Sequence, residues 1–182
     1  GSNQKYIAMG HSLGSYVWIN TLYSYGNIDI DALVLISGGS INTLDNINAT
    51  TEHGRYFSHI NKWKAFFSIF NHNIKPVQIL FPDIPQLEQS GFIQDYGFSF
   101  FSMFRDYKNR IKTFYTSTNI PILMISGSQD EIFEPEKLQE SYDLIASTNK
   151  KLIILEQKTH TSIIWSAGAY INSWLEDYFQ TP

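Results

Sequence analysis

Gly10-His11-Ser12-Leu13-Gly14 stands between an apolar segment, residues 6–9, and a run of helical character over residues 13–25. A serine on a tight turn from strand to helix is held in a strained backbone conformation, and glycines two positions before and after it let strand and helix approach without Cβ clashes. The turn aims the Ser12 hydroxyl at the helix N-terminus, where backbone N–H groups and the helix dipole favour negative charge. The pattern therefore predicts a nucleophilic serine beside a place for an oxyanion.

Composition limits the remaining possibilities. The chain has 182 residues, of which 43% are hydrophobic and 16% charged, a size and balance that predict one globular domain with a sizeable core. The net charge is −4, so whole-chain electrostatics give no reason to bind nucleic acid or an anionic membrane. The chain contains no cysteine, which excludes disulfides, thiolate metal sites and cysteine nucleophiles. Apolar runs are strand-sized, so we expect no membrane span. The location expected for the protein is the cytoplasm.

Strand-like and helix-like segments alternate along much of the chain. Continuous apolar strands are predicted over residues 32–37, 120–126 and 151–155. Helices are predicted after Pro135, with Leu138, Tyr142 and Ile145 at helical spacing, and at the end of the chain. The closing helix has one apolar face, formed by Ile164, Ala167, Ile171, Trp174, Leu175 and Tyr178. This alternation predicts an α/β fold with a mostly parallel sheet flanked by helices.

A different kind of segment interrupts that alternation. Residues 52–115 hold 16 of the 28 aromatic residues and 11 of the 13 phenylalanines. One helical face is predicted to carry Tyr56, Ile60, Trp63, Phe67 and Phe70, and residues 98–107 are predicted to form a second helix or a buried hairpin. We interpret residues 41–115 as an aromatic-rich cap inserted into a core made of residues 1–40 and 116–182. Most of its rings are expected to pack the cap, and those facing a cleft would favour an acyl chain or an aromatic group.

An acid and a histidine follow the serine in a recognisable order. Residues 122–132 read as a strand and a loop that contains Asp130, and His160 follows the last strand. With the turn at Ser12, these motifs resemble the α/β-hydrolase superfamily of serine esterases and lipases, from its nucleophile turn onward. The resemblance implies that Ser12 is the nucleophile, His160 the base and Asp130 the acid that orients it. It also implies that the backbone N–H of Leu13 donates to the oxyanion, and that no cofactor is used.

Each assignment has an alternative. Glu131 adjoins Asp130, but the family pattern favours the aspartate. His11 is expected to pack beside the turn, and His53, His59 and His72 to be surface or packing residues in or near the cap. These histidines lack the spacing of a metal site such as H-E-x-x-H, so we expect no metal.

The resemblance also implies strands before the serine turn that have no counterpart in this sequence. Residues 6–9 would then form an unpaired apolar edge, which we expect to pair with a missing N-terminal segment or with a second chain. The expected function is hydrolysis of a carboxylic ester, or else of a thioester or amide, of a small hydrophobic substrate through an acyl-enzyme on Ser12. The alternatives are a non-catalytic interaction module of the same fold and an inactive truncated fragment.

Overall fold

The structure of the chain is a computed structural model. It describes residues 4–26, 28–41, 57–68, 70–71, 73–80, 95–96, 106–130 and 132–180. The chain divides into two compact units. The first unit comprises Gly1–Thr43 and Lys108–Pro182, and the second comprises Leu44–Tyr107.

The described residues form seven β-strands and five α-helices. In chain order these are β1 (Ile7–His11), α1 (Leu13–Tyr25), β2 (Ala32–Ile36), β3 (Phe57–Ile60), α2 (Lys62–Ser68), β4 (Val77–Leu80), β5 (Asp95–Tyr96), α3 (Tyr107–Ser117), β6 (Ile122–Gly127), α4 (Pro135–Asp143), β7 (Lys150–Leu155) and α5 (Ile164–Gln180).

A four-stranded parallel sheet organises the first unit. Its strand order is β1-β2-β6-β7, and Leu33 pairs with Ile122 while Ile125 pairs with Ile153. Every residue of β2 and β6 is buried, which explains why these strands are continuous apolar runs rather than alternating ones. Because parallel strands end at the same edge of a sheet, the loops after β1, β2, β6 and β7 emerge on one side. The α/β prediction is confirmed.

The closing helix α5 packs its apolar face on this sheet. Ala167, Ile171 and Trp174 lie in one buried cluster with residues of β2 and β6. Ile164 was predicted to belong to this apolar face, and that prediction is wrong, because 46% of the Ile164 surface is exposed. Ile163, just before the helix, is fully buried instead, so the apolar face begins one residue earlier than the helical spacing indicates.

Strand β1 has one neighbour in the described sheet, β2. Asp31 N–H donates to the Tyr6 carbonyl (2.8 Å) and Ser12 N–H to the Ile36 carbonyl (2.9 Å), so the intervening odd-numbered residues direct their peptide groups to the other side. The Met9 carbonyl on that side accepts a hydrogen bond from Trp18 Nε1 (2.9 Å). Pairing of this edge with another segment stays a prediction.

The second unit contains an antiparallel sheet in the order β3-β4-β5 together with helix α2. The predicted helix through residues 56–70 is wrong over 57–60, which form strand β3 and pair with β4. The helix begins only after Asn61, whose Oδ1 accepts the Lys64 N–H (3.0 Å). Non-local pairing with β4 therefore outweighs the helical spacing of the apolar residues. Tyr56 and the predicted element over residues 98–105 lie outside the described residues.

The boundary between the units falls within α3. Residues from Lys108 onward belong to the first unit, whereas the prediction put residues up to 115 in the cap. Ile111 and Tyr115 are buried, and the Tyr115 hydroxyl donates to the Gly39 carbonyl (2.7 Å). The aromatic side chains of residues 114–115 are thus buried in the first unit, which contains the parallel sheet.

The two glycines of the serine turn differ in what surrounds them. A Cβ at Gly10 would lie 2.5 Å from the Gly14 carbonyl oxygen and 2.6 Å from Ser15 N. A Cβ at Gly14 would have nothing within 4 Å. The prediction that both glycines are needed for close approach is confirmed for Gly10 and wrong for Gly14.

Gly10→Ala and Gly14→Ala therefore form a matched pair for stability. Gly10→Ala is expected to lower the free energy of unfolding by about 3 kcal/mol, because its Cβ meets backbone that cannot move independently. Gly14→Ala, in the first turn of α1, is expected to change it by no more than about 1 kcal/mol, toward greater stability. Urea unfolding followed by circular dichroism measures both, and equal effects of the two substitutions would contradict this packing.

Candidate active site

Ser12 occupies the sharp turn between β1 and α1. Its φ is 53° and its ψ is −120°, a combination that a residue with a side chain adopts only when its surroundings hold it there. Ser12 N–H donates to the Ile36 carbonyl (2.9 Å), and Ser15 N–H donates to the Ser12 carbonyl (3.0 Å). Both peptide groups of Ser12 are therefore tied, one to the neighbouring strand and one to the helix that follows.

The loop after β2 lies directly against this turn. A Cβ on Gly38 would come within 2.6 Å of both the Ser12 carbonyl oxygen and Ser15 Oγ. Ser15 Oγ is buried and donates to the Gly10 carbonyl (2.9 Å), closing the base of the turn. The absence of a side chain at Gly38 thus allows the loop to contact the turn.

Asp130 lies in a tight loop after β6, and its carboxylate is buried, with only 4% of the residue exposed. Its Oδ1 accepts the backbone N–H groups of Ile132 (3.0 Å) and Phe133 (2.8 Å). Its Oδ2 accepts the Ser126 hydroxyl (3.1 Å). The carboxylate is therefore held by its own loop before any contribution from His160.

The loop after β7, which carries His160, is fastened to the Asp130 loop. Gln129 N–H donates to the Lys158 carbonyl (3.0 Å), and Gln157 N–H donates to Ser128 Oγ (2.9 Å). A Cβ at Gly127 would overlap the Lys158 carbonyl, so the close approach of the two loops requires glycine there.

These contacts bring the predicted acid and base together. His160 Nδ1 lies 3.2 Å from Asp130 Oδ1 and 3.3 Å from Oδ2, and only 6% of His160 is exposed. The Phe133 ring stacks on the imidazole with centroids 5.4 Å apart. With Nδ1 directed at the carboxylate, Nε2 lies on the far side of the ring.

The pKa of Asp130 is held below its ordinary value. Burial alone would raise that pKa, but the hydrogen bond from His160 and the interaction with its ring charge oppose burial and outweigh it. The Ser37 hydroxyl and the Phe133 N–H favour the carboxylate further. Ser37 Oγ is buried and makes no hydrogen bond of ordinary geometry, so it acts through its proximity to Asp130. Asp130 is accordingly ionised at neutral pH.

His11 connects the serine turn to His160. Its Nε2 lies 3.0 Å from the His160 carbonyl oxygen, to which it can donate, and the two ring centroids are 4.8 Å apart. Burial lowers the pKa of His11, while the His160 carbonyl raises it and the nearby His160 ring lowers it. The sequence predicts that His11 packs beside the turn, and its contacts with His160 agree with that prediction.

Ser12 directly follows His11 in the chain, so the backbone connects it to the residue that contacts His160. The three residues that the sequence singles out lie at the carboxyl ends of β1, β6 and β7. Ser126 and Phe133, which hold the carboxylate and the imidazole, were not predicted from the sequence. Gly127 was not predicted either, although a glycine that ends a buried strand is a signal of close backbone approach.

The alternative residues are placed as follows. Glu131, His53 and His72 lie outside the described residues, and His59 belongs to strand β3 of the second unit. Within the described part of the chain, no three His, Asp or Glu side chains are grouped as a metal site would require. No helix in that part is both long and apolar enough to cross a bilayer.

A family model described as "Serine aminopeptidase, S33" matches residues 1–164. The chain belongs to this family. It is a family of hydrolases with the α/β-hydrolase fold. The resemblance to the α/β-hydrolase superfamily, predicted from the serine, aspartate and histidine motifs, is confirmed.

Solved structures share the fold of this serine aminopeptidase family member. The monoacylglycerol lipase of Paleococcus ferrophilus superimposes with a TM-score of 0.60 at 14% identity, over 95% of this chain and 69% of the lipase. The esterase domain of a Rhodothermus marinus protein superimposes with a TM-score of 0.56 at 12% identity, over 92% of this chain and 59% of that chain. The mouse α/β-hydrolase domain-containing protein 10 superimposes with a TM-score of 0.55 at 15% identity, over 97% of this chain and 64% of the mouse chain.

These identities show the fold alone. The chain spans between 59% and 69% of the length of those three proteins. A search of curated proteins found no matching sequence.

The lowered pKa of Asp130 predicts how stability depends on pH. A group whose pKa is depressed by folding stabilises the fold above its unfolded value, here 3.8, and that contribution is lost as the pH falls through the folded pKa. Asp130→Asn should therefore be less stable than wild type at pH 7, and the difference should shrink below about pH 4. Urea unfolding at both pH values measures it. The exposed Asp29→Asn controls for loss of one negative charge, and a difference for Asp130→Asn that does not change with pH would contradict the prediction.

Proposed function

We propose that this protein is a serine hydrolase that cleaves a carboxylic ester through an acyl-enzyme on Ser12. The observation that carries the proposal is the buried Asp130–His160 pair, 3.2 Å apart, at the sheet edge where the strained turn holds Ser12. A nucleophilic serine needs a hydroxyl on such a turn and an imidazole fixed by a carboxylate at the same sheet edge.

In the first half of the reaction, Ser12 Oγ attacks the ester carbonyl carbon while His160 Nε2 accepts the hydroxyl proton. The tetrahedral intermediate then expels the alcohol, which takes that proton from the imidazolium and leaves an acyl group on Ser12. In the second half a water molecule attacks the acyl carbon, with His160 again as the base. The products are the carboxylic acid and the free Ser12 hydroxyl.

Asp130 serves this cycle without exchanging a proton. Its carboxylate fixes the imidazole tautomer with hydrogen on Nδ1 and stabilises the imidazolium that forms during attack. The depressed pKa of Asp130 supports this role, since an ionised carboxylate stabilises a cation where a neutral acid would not. Four hydrogen-bond donors hold its two oxygens, namely Ser126 Oγ, Ile132 N, Phe133 N and His160 Nδ1.

The intermediate's negative charge would be met by the backbone N–H of Leu13, the first residue of α1. N–H groups in the first turn of a helix have no partner within the helix, and the helix dipole adds positive potential there. The loss of one such donor typically lowers the rate about 100- to 1000-fold.

An ester with a hydrophobic acyl or aromatic group is the substrate class we favour. Two structural neighbours are named a monoacylglycerol lipase and an esterase domain, and residues 52–115 are rich in phenylalanine. The family description names an aminopeptidase, which must bind a substrate ammonium group. An aminopeptidase is therefore the competing class, and it differs in cleaving an amide rather than an ester.

The role of Ser12 is tested by ester turnover in the protein at its natural full length. Ser12→Ala and His160→Ala should each lower kcat for p-nitrophenyl butyrate by roughly a millionfold, and Asp130→Asn by roughly ten thousandfold. Ser24→Ala, an exposed serine of α1, is the matched control and should retain full activity. Undiminished turnover by Ser12→Ala would contradict the proposal.

The substrate class is tested by pairing an ester with an amide. We expect hydrolysis of p-nitrophenyl esters, with kcat/KM rising as the acyl chain lengthens, and no measurable release of p-nitroaniline from leucine p-nitroanilide. The physical reason is that each buried CH₂ adds about 0.8 kcal/mol of apolar transfer energy. Preference for the anilide would show an aminopeptidase instead.

A further inference from the structure

Helix α2 presents large aromatic side chains to solvent, and the buried residue of the helix is a serine. Trp63 lies within the helix and Phe70 lies just beyond its end, and each is 76% exposed. Phe66 and Phe67 are 53% and 51% exposed. Ser68, by contrast, is buried. This reverses the usual pattern, in which a surface helix buries its bulky apolar residues. We call Trp63, Phe66, Phe67 and Phe70 the α2 aromatic face.

Three of these four rings are in contact with one another. At 3.6 residues per turn, the three that lie within the helix, Trp63, Phe66 and Phe67, fall within an arc of about 100°. Phe66 is in edge-on contact with Phe67, with centroids 5.5 Å apart, and with Phe70, at 5.8 Å. Phe66, Phe67 and Phe70 thus form one exposed aromatic cluster, with Trp63 on the same side of the helix. Exposed apolar patches of this kind mark sites of contact with proteins or membranes.

Two lysines of α2 flank the α2 aromatic face. Lys62 and Lys64 are exposed and fall on opposite sides of the aromatic arc. The stretch of residues 53–82 contains Arg55, Lys62, Lys64 and Lys75 and no aspartate or glutamate, although the chain as a whole carries a net charge of −4. The whole-chain charge that argues against an anionic membrane therefore does not describe this segment.

We infer that the α2 aromatic face docks on the interface of an anionic lipid bilayer. Trp and Phe rings gain free energy at the boundary between headgroups and acyl chains, and flanking lysines are attracted to anionic headgroups. A second copy of this chain fits the face less well, because docking two such faces would bring four lysines of like charge together. Binding would place the protein on a membrane surface without spanning it.

Cosedimentation with vesicles tests this inference and does not depend on hydrolysis. The intact chain should bind mixed phosphatidylcholine–phosphatidylglycerol vesicles more tightly than pure phosphatidylcholine vesicles, and added salt should weaken that binding. Lys62→Gln and Lys64→Gln should each weaken partitioning to the mixed vesicles by about fivefold and leave the weak binding to neutral vesicles unchanged.

The aromatic contribution is tested with Trp63→Ala and Phe70→Ala, each expected to weaken partitioning roughly tenfold. The matched control is Trp165→Ala, which removes a tryptophan that is 90% exposed on α5 and should change nothing. Unaltered far-ultraviolet circular dichroism establishes that each variant is folded, as expected for substitutions of exposed side chains.

Three outcomes would overturn the inference. They are no binding of the wild-type chain to the mixed vesicles, equal losses for Trp165→Ala and Trp63→Ala, and sedimentation of the free protein as a dimer that Phe70→Ala dissociates. The last result would assign the α2 aromatic face to a second copy of the chain.

Discussion

The structure depends on a backbone conformation at Ser12 that an L-residue does not adopt unaided. The positive φ of 53° is held by the hydrogen bond from Ser12 N–H to Ile36, and it is possible because Gly10 and Gly38 have no Cβ to occupy the space beside the turn. The same contacts set the junction of β1 with α1 and bring the loop after β2 against it. Strain of this kind costs on the order of 1–3 kcal/mol, and persists only where surrounding structure enforces it.

A second close approach completes the site. Gly127 lets the loop that carries His160 lie against the loop that carries Asp130, and two further hydrogen bonds fasten them. The Asp130–His160 geometry is therefore a property of two joined loops at the end of a rigid parallel sheet. This rigidity matters, because catalysis of the proposed kind needs the imidazole in one orientation before substrate arrives.

Local patterns predicted the features that local chemistry determines. The buried strands β2 and β6 are long apolar runs, α1 begins where the serine turn ends, and Asp130 and His160 follow their strands as the resemblance implies. The features that depend on distant residues were missed. Strand β3 forms where helical spacing indicates a helix, because β4 pairs with it. The role of Gly127 depends on Lys158, a residue of another loop whose carbonyl a Cβ at position 127 would overlap.

Reaction of the protein at its natural full length with a fluorophosphonate, followed by peptide mass mapping, tests the central claim most directly. The reagent forms a stable adduct with a serine oxygen only when a neighbouring base has made it nucleophilic. We expect a single adduct, on Ser12, that does not form in the His160→Ala variant. An unmodified Ser12, or an adduct on a different serine, would contradict it.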